Sequence, residues 1–92
     1  MDWSSRPTPH PQTAARVVDG SAVIVLADTG QVNVLNSVGT RVWELCDGSR
    51  SARTIAETLA AEFQVTPEQA LSDTAEFLET LVRAQAVVLV SP

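Results

Sequence analysis

The sequence predicts an α+β domain, a three-stranded antiparallel β-meander followed by a three-helix bundle, with a short strand near the C-terminus. Two observations carry most of this. In ARVVDGSAVIVLADTGQVNVLN, from Ala15 onward, three β-branched runs are separated by Asp19-Gly20 and by Asp28-Thr29-Gly30, which are hairpin punctuation. From Asn36 to Ala84 apolar residues recur at helical spacing, interrupted by Asp47-Gly48 and by Val65-Thr66-Pro67. The third observation is the apolar run Ala86 to Val90, AVVLV, whose pairing partner the sequence does not name.

The chain has 92 residues and a formal charge of -5, so it builds one small domain with a thin margin of core burial. Its only aromatic residues are Trp3, Trp43, Phe63 and Phe77, and the core is therefore made of Val, Leu, Ile and Ala. Residues 1–12 are rich in Pro, Ser and Thr and read as a flexible, solvated tail, leaving 13–92 as the folded domain. A signal peptide needs positive charge before an apolar run, whereas this stretch holds Asp2 and several prolines. No segment approaches the roughly 20 apolar residues of a membrane span. The single cysteine, Cys46, excludes an internal disulfide. These features predict a cytoplasmic protein with no membrane partner.

Within the meander, Val23, Ile24, Val25 and Leu26 are apolar on both faces, as in a central strand. In the third strand Val32 and Val34 alternate with Gln31 and Asn33, the pattern of an edge. No Pro, Lys or bulge signal blunts that edge, which makes it either a liability or a docking site. Asn36 or Ser37 caps the first helix, where Val38, Val42 and Leu45 share a stripe, Trp43 and Cys46 lie beside it, and Gly48 supplies a left-handed stop. Ser51 caps the second, with Ile55, Ala56, Leu59, Ala60 and Phe63 on its apolar positions. Thr66-Pro67-Glu68-Gln69 starts the third: an N-cap, Pro at the first helical position and a Gln able to close a capping box. That helix carries two apolar stripes, Ala70, Thr74, Phe77 and Leu81, and beside them Leu71, Ala75, Leu78 and Val82. One stripe suffices for a core, so the second asks for a partner.

Catalytic chemistry is hard to assemble from these residues. His10 is the only histidine and lies in the Pro-rich stretch, and Cys46 has no neighbour that would make it a thiolate. Neither a metal-ligating His/Cys cluster nor a Gly-rich phosphate loop is present, so no cofactor is expected. The second and third helices have the layout of a helix-turn-helix, and the whole is winged-helix-like. Glu68, Asp73, Glu76 and Glu79 against Arg83 alone, however, give the third helix the wrong sign for a phosphate backbone. Nucleic acid is therefore not the expected partner.

The order of a hairpin ending in Leu35-Asn36, then Gly39 and Trp43, Asp47-Gly48, Ile55-Ala56, and Asp73 followed by Phe77-Leu78 and Leu81 resembles the PqqD-like family, the RiPP recognition elements, over about residues 14–89. The resemblance implies a non-enzymatic domain that binds the leader of a ribosomally made precursor peptide. It would present that leader to a modifying enzyme such as a radical SAM enzyme, a protease or a cyclase. It further implies that the leader adds as a strand to the sheet edge at Gln31, Val32, Asn33, Val34 and Leu35 and lies against a wall of Leu71, Ala75, Leu78 and Val82 on the third helix. Backbone bonds along such an edge provide affinity, and pockets for alternate side chains select the sequence. The alternative is a winged-helix-shaped regulatory or structural module that dimerises through the same edge strand. Either the proline-rich start or AVVLV could also cover the groove from within.

Overall fold

The computed structural model describes residues 1–91. The meander forms as expected: β2 (Thr13–Val18), β3 (Ser21–Leu26) and β4 (Val32–Val34) make an antiparallel sheet in the order β2-β3-β4. Its first turn places Asp19 at φ 51° and Gly20 at φ 81°, the left-handed pair that a two-residue hairpin requires. Register follows the alternation. Ala22, Ile24 and Leu26 point inward and are buried, while Val23 and Val25 sit opposite Val34 and Val32 on the outer face.

Three helices follow, α1 (Ser37–Leu45), α2 (Ala52–Phe63) and α3 (Pro67–Arg83). Each begins at a capping side chain: Asn36 accepts from the Gly39 N–H at 2.8 Å, Ser51 from Thr54 at 3.2 Å and Thr66 from Gln69 at 3.1 Å. The capping box at Thr66 is not closed, because the Gln69 amide runs forward and donates to Asp73 Oδ1 at 2.8 Å. Gly48 does adopt a left-handed φ of 82°, yet it lies in the following turn, since α1 ends at Leu45 with Cys46 as its C-cap.

The main departure from the sequence reading is the N-terminal stretch. It is not a solvated tail: Arg6–Pro9 forms β1, which pairs antiparallel with β5 (Val87–Val90), Pro7 opposite Leu89 and Pro9 opposite Val87. The two apolar ends of the chain cover each other in a separate two-stranded sheet. Three carbonyls of the same segment also turn inward: Arg53 N–H donates to Trp3 O at 3.0 Å, Ala52 to Ser5 O at 2.9 Å and Gly48 to Pro7 O at 2.9 Å. The first two satisfy donors in the opening turn of α2 that the helix itself cannot pair. Proline suits this position, because an edge strand does not need every N–H. The folded unit therefore includes residues 1–12.

Two buried clusters hold the elements together. One joins Val42, Leu45 and Cys46 of α1 and its C-cap to Ile55, Leu59 and Leu78, and the other joins Ile24 and Leu26 of the sheet to Leu81, Ala86 and Val87. Full burial of an aliphatic side chain of this size contributes about 1.5–3 kcal/mol. The clusters fix the sheet over α1 and the C-terminal half of α3.

Candidate peptide-binding site

At β4 the ladder shows which backbone groups remain unpaired. Leu26 N–H donates to Gln31 O and Leu35 N–H to Ala22 O, both at 2.9 Å. Between them the partners are Val25 with Val32, Ile24 with Asn33 and Val23 with Val34. Bonded pairs alternate in an antiparallel ladder, so Gln31, Asn33 and Leu35 face β3, while the N–H and C=O groups of Val32 and Val34 face away. Among the described residues, no other strand meets that edge.

The end of this edge is fixed by Thr40, buried on α1. Its hydroxyl accepts from Ala22 N–H at 2.9 Å and donates to Leu35 O at 3.3 Å, standing in the ladder where β4 leaves β3. Val32 and Val34 project from the outer face and are 57% and 68% exposed. Asn33 points inward and is half-buried, and Leu35 packs against the cluster containing Leu81 and Val87.

The predicted wall on α3 lies elsewhere. Leu78 is wholly buried in the core between α1, α2 and α3, so it cannot touch a docked strand. Leu71 faces α2, lining a cleft with Arg53, Ala56 and Ala60, and Val82 lines one with Met1 and Leu89. Ala75, half-buried, shares this flank by helical spacing. The stripe thus turns toward α2 and the β1-β5 ends and not toward β4.

The opposite flank of α3 carries Asp73, Phe77 and Ala84. The Phe77 ring lies against Gly39 in the first turn of α1 so closely that a Cβ on Gly39 would overlap it. Phe77 is thereby held beside the point where β4 ends. It also packs, half-buried, on the core cluster of Val42, Leu45 and Leu78, as its stripe predicts, and a glycine inside an otherwise regular helix, Gly39, is the sequence signal of the close approach.

Little else near the site is reactive. Cys46 is buried, its thiol donates to Val42 O at 3.0 Å, and burial together with the neighbouring Asp47 pushes it up to about 12. Arg41 is committed to Glu62 by two bonds of 2.8 Å, a pairing that lowers the Glu62 carboxyl below its ordinary value. Asp73 accepts from the Gln69 amide. No group of His, Cys, Asp and Glu that could hold a metal occurs among the described residues, and no described helix is long and apolar enough to cross a membrane.

The sequence model of the family described as coenzyme PQQ synthesis protein D (PqqD) matches residues 21–87, from the start of β3 to the start of β5. This chain belongs to the PqqD family. Two solved structures share its fold. One, described as TbiB1 in complex with the TbiA(beta) leader peptide, is 22% identical with a TM-score of 0.81 and covers 87% of this chain and 93% of its own. The other, lasso peptide synthetase B1 complexed with the leader peptide, is 18% identical with a TM-score of 0.81, covering 90% of this chain and 98% of its own. No curated protein matches the sequence significantly. The PqqD match excludes β1 and β2, so the strand that closes the N-terminus lies outside the family's core pattern.

Proposed function

We propose that this PqqD-family protein is a non-enzymatic adaptor that binds the leader segment of a ribosomally synthesised precursor peptide and presents it to a modifying enzyme. The observation that carries the reading is the open β4 edge, where Val32 and Val34 offer unpaired backbone groups beside Leu35 and Phe77. The leader adds there as a fourth strand, bonded to Val32 and Val34. Its inward side chains lie toward Asn33, Leu35 and the Asp73-Phe77 flank of α3, and Leu71, Ala75, Leu78 and Val82 act behind that flank as packing. Strand addition suits a small domain with no nucleophile at hand, and a disordered leader ordered on docking binds with an affinity on the order of micromolar or somewhat tighter.

The two leader-bound structures support this reading through their shared fold. The modifying enzyme is a radical enzyme, protease or cyclase that meets the complex, with the exposed outer face of Val25, Val32 and Val34 available next to the bound leader. A reducing, cytoplasmic setting fits the single buried thiol. The test is titration of isotope-labelled protein with leader peptides of lasso and PQQ precursors. Amides of residues 32–34 and of α3 around Phe77 shift on binding; leaders that bind while leaving these amides unmoved would place the site elsewhere.

A further inference from the structure

The sheet has a second free edge, and it borders a cleft of its own. The tight turn at Asp19-Gly20 makes Val18 and Ser21 a bonded pair, so Arg16 and Ala14 also bond to β3, while the backbone groups of Ala15 and Val17 face outward. The side chains of Ala15 and Val17 share the inward face with Ala22 and Ile24, yet Val17 is 51% exposed. Under them opens a largely apolar cleft of about 450 Å³, lined by Pro9, Ala15, Val17, Trp43 and Cys46 and edged by Arg16, Glu44 and Asp47.

The cleft is negatively poised at one end. Glu44 stands in the last turn of α1, where the helix carbonyls already favour a cation, and that turn contains no basic residue. Arg41 makes a loose ion pair with Glu44 at 3.7 Å and gives its short bonds to Glu62, so the Glu44 carboxylate, 42% exposed, keeps room for a second cation. Asp47 is occupied: one oxygen takes Ser49 and the other Arg50 at 3.0 Å. Arg16 forms no ion pair among the described residues, and its side chain belongs to the outer face opposite Val23. A loosely paired, exposed carboxylate at a helix C-terminus, next to a half-buried indole and a row of free strand groups, is matched by a cationic side chain with an apolar stem.

We propose that the β2 edge and the Trp43 cleft form a second strand-docking site, distinct from β4, that takes an extended segment of a protein partner carrying arginine or lysine beside small aliphatic residues. The segment bonds to the backbone of Ala15 and Val17, its basic stem lies over Trp43 and its charge meets Glu44. A second copy of this acidic chain is the poorer occupant, because each copy carries a charge of -5.

The test titrates the labelled full chain with acetyl-Ala-Arg-Val-Arg-Val-Ala-amide and with the same peptide bearing glutamate for arginine. The proposal expects the arginine peptide to shift the Ala15 and Val17 amides and the Trp43 indole N–H, the glutamate peptide to leave them still, and Glu44→Gln, a surface change, to weaken binding about three- to fivefold. It is overturned if the arginine peptide moves none of these signals, if it moves only residues 32–34, if Glu44→Gln changes nothing, or if Ala15 and Val17 shift with protein concentration alone. Because leader binding is read at residues 32–34, either site can fail without the other.

Discussion

Two strands of this molecule begin from the same difficulty and resolve it differently. Both β4 and β5 are short, rich in valine and flanked by apolar helix surface. Each pairs with one strand, β5 with β1 and β4 with β3, but Val87 faces the buried cluster and is 2% exposed, whereas Val34 faces outward and is 68% exposed. Among the described residues, β1 and β5 pair with each other and neither meets the outer edge of β4. The unpaired edge of β4, with no Pro or Lys to blunt it, is available for a partner.

The largest effect should come from the closed end. Removing residues 1–9 uncovers Val87 and Leu89 and takes away the carbonyls that receive the first N–H groups of α2, so urea unfolding should show a loss of at least about 3 kcal/mol. An unchanged unfolding midpoint would mean that β1 is an accessory. A similar loss, about 2–5 kcal/mol, is expected for Leu78→Ala, because this residue belongs to the core. If Leu78 lined the peptide groove instead, the same substitution would weaken leader binding with little change in unfolding.

At the open end the expected effect falls on binding. Val34 N–H faces away from β3, so Val34→Pro should remove an edge donor and lower leader affinity about tenfold or more while costing little stability. Asn33→Pro, one residue away, breaks a bond to β3 and should destabilise the sheet itself, which calorimetry of the two variants would separate.

Cys46 sharpens the contrast through pH. Its thiol ionises near 9 in the unfolded chain and near 12 in the fold, so the fold holds the proton more tightly. This contribution is fully present below about 9 and is lost as pH rises from there toward 12, at about 1.4 kcal/mol per pH unit. A denaturation series from pH 7 to 11 should show it, and Cys46→Ala should remove the slope. The smallest effect concerns Thr74, wholly buried with a hydroxyl that finds no partner among the described residues. Thr74→Val should stabilise by about 1 kcal/mol in the same unfolding assay.

Much of this arrangement was legible in the sequence, for identifiable reasons. Asp19-Gly20, Asn36, Ser51 and Thr66-Pro67 each act on their own few residues, and turns and caps of that kind are local chemistry. The alternation of Gln31, Val32, Asn33 and Val34 likewise marked an edge, because the period of a strand is two. What escaped depended on contacts between distant parts of the chain. Proline between polar residues reads as solvated backbone, and only β5, some eighty positions later, turns Arg6–Pro9 into a strand. On α3 the buried line, Ala70, Thr74, Leu78 and Leu81, takes members of both stripes, because periodicity does not say which neighbour each residue meets. Leu71, Ala75 and Val82 lie toward α2 and the paired ends, and Leu78 lies within the core. Phe77 packs on the core as its stripe predicts and also reaches the β4 side, located by its contact with Gly39.

Whether β4 is open in the free protein and completed by a leader strand is decided by amide hydrogen exchange at Val32 and Val34. Fast exchange is expected in the free protein, slower exchange of both amides once a leader peptide is bound, and an unchanged rate at Asn33, already bonded to β3. Protection of Val32 and Val34 without peptide, or continued fast exchange at saturating leader, would contradict that expectation.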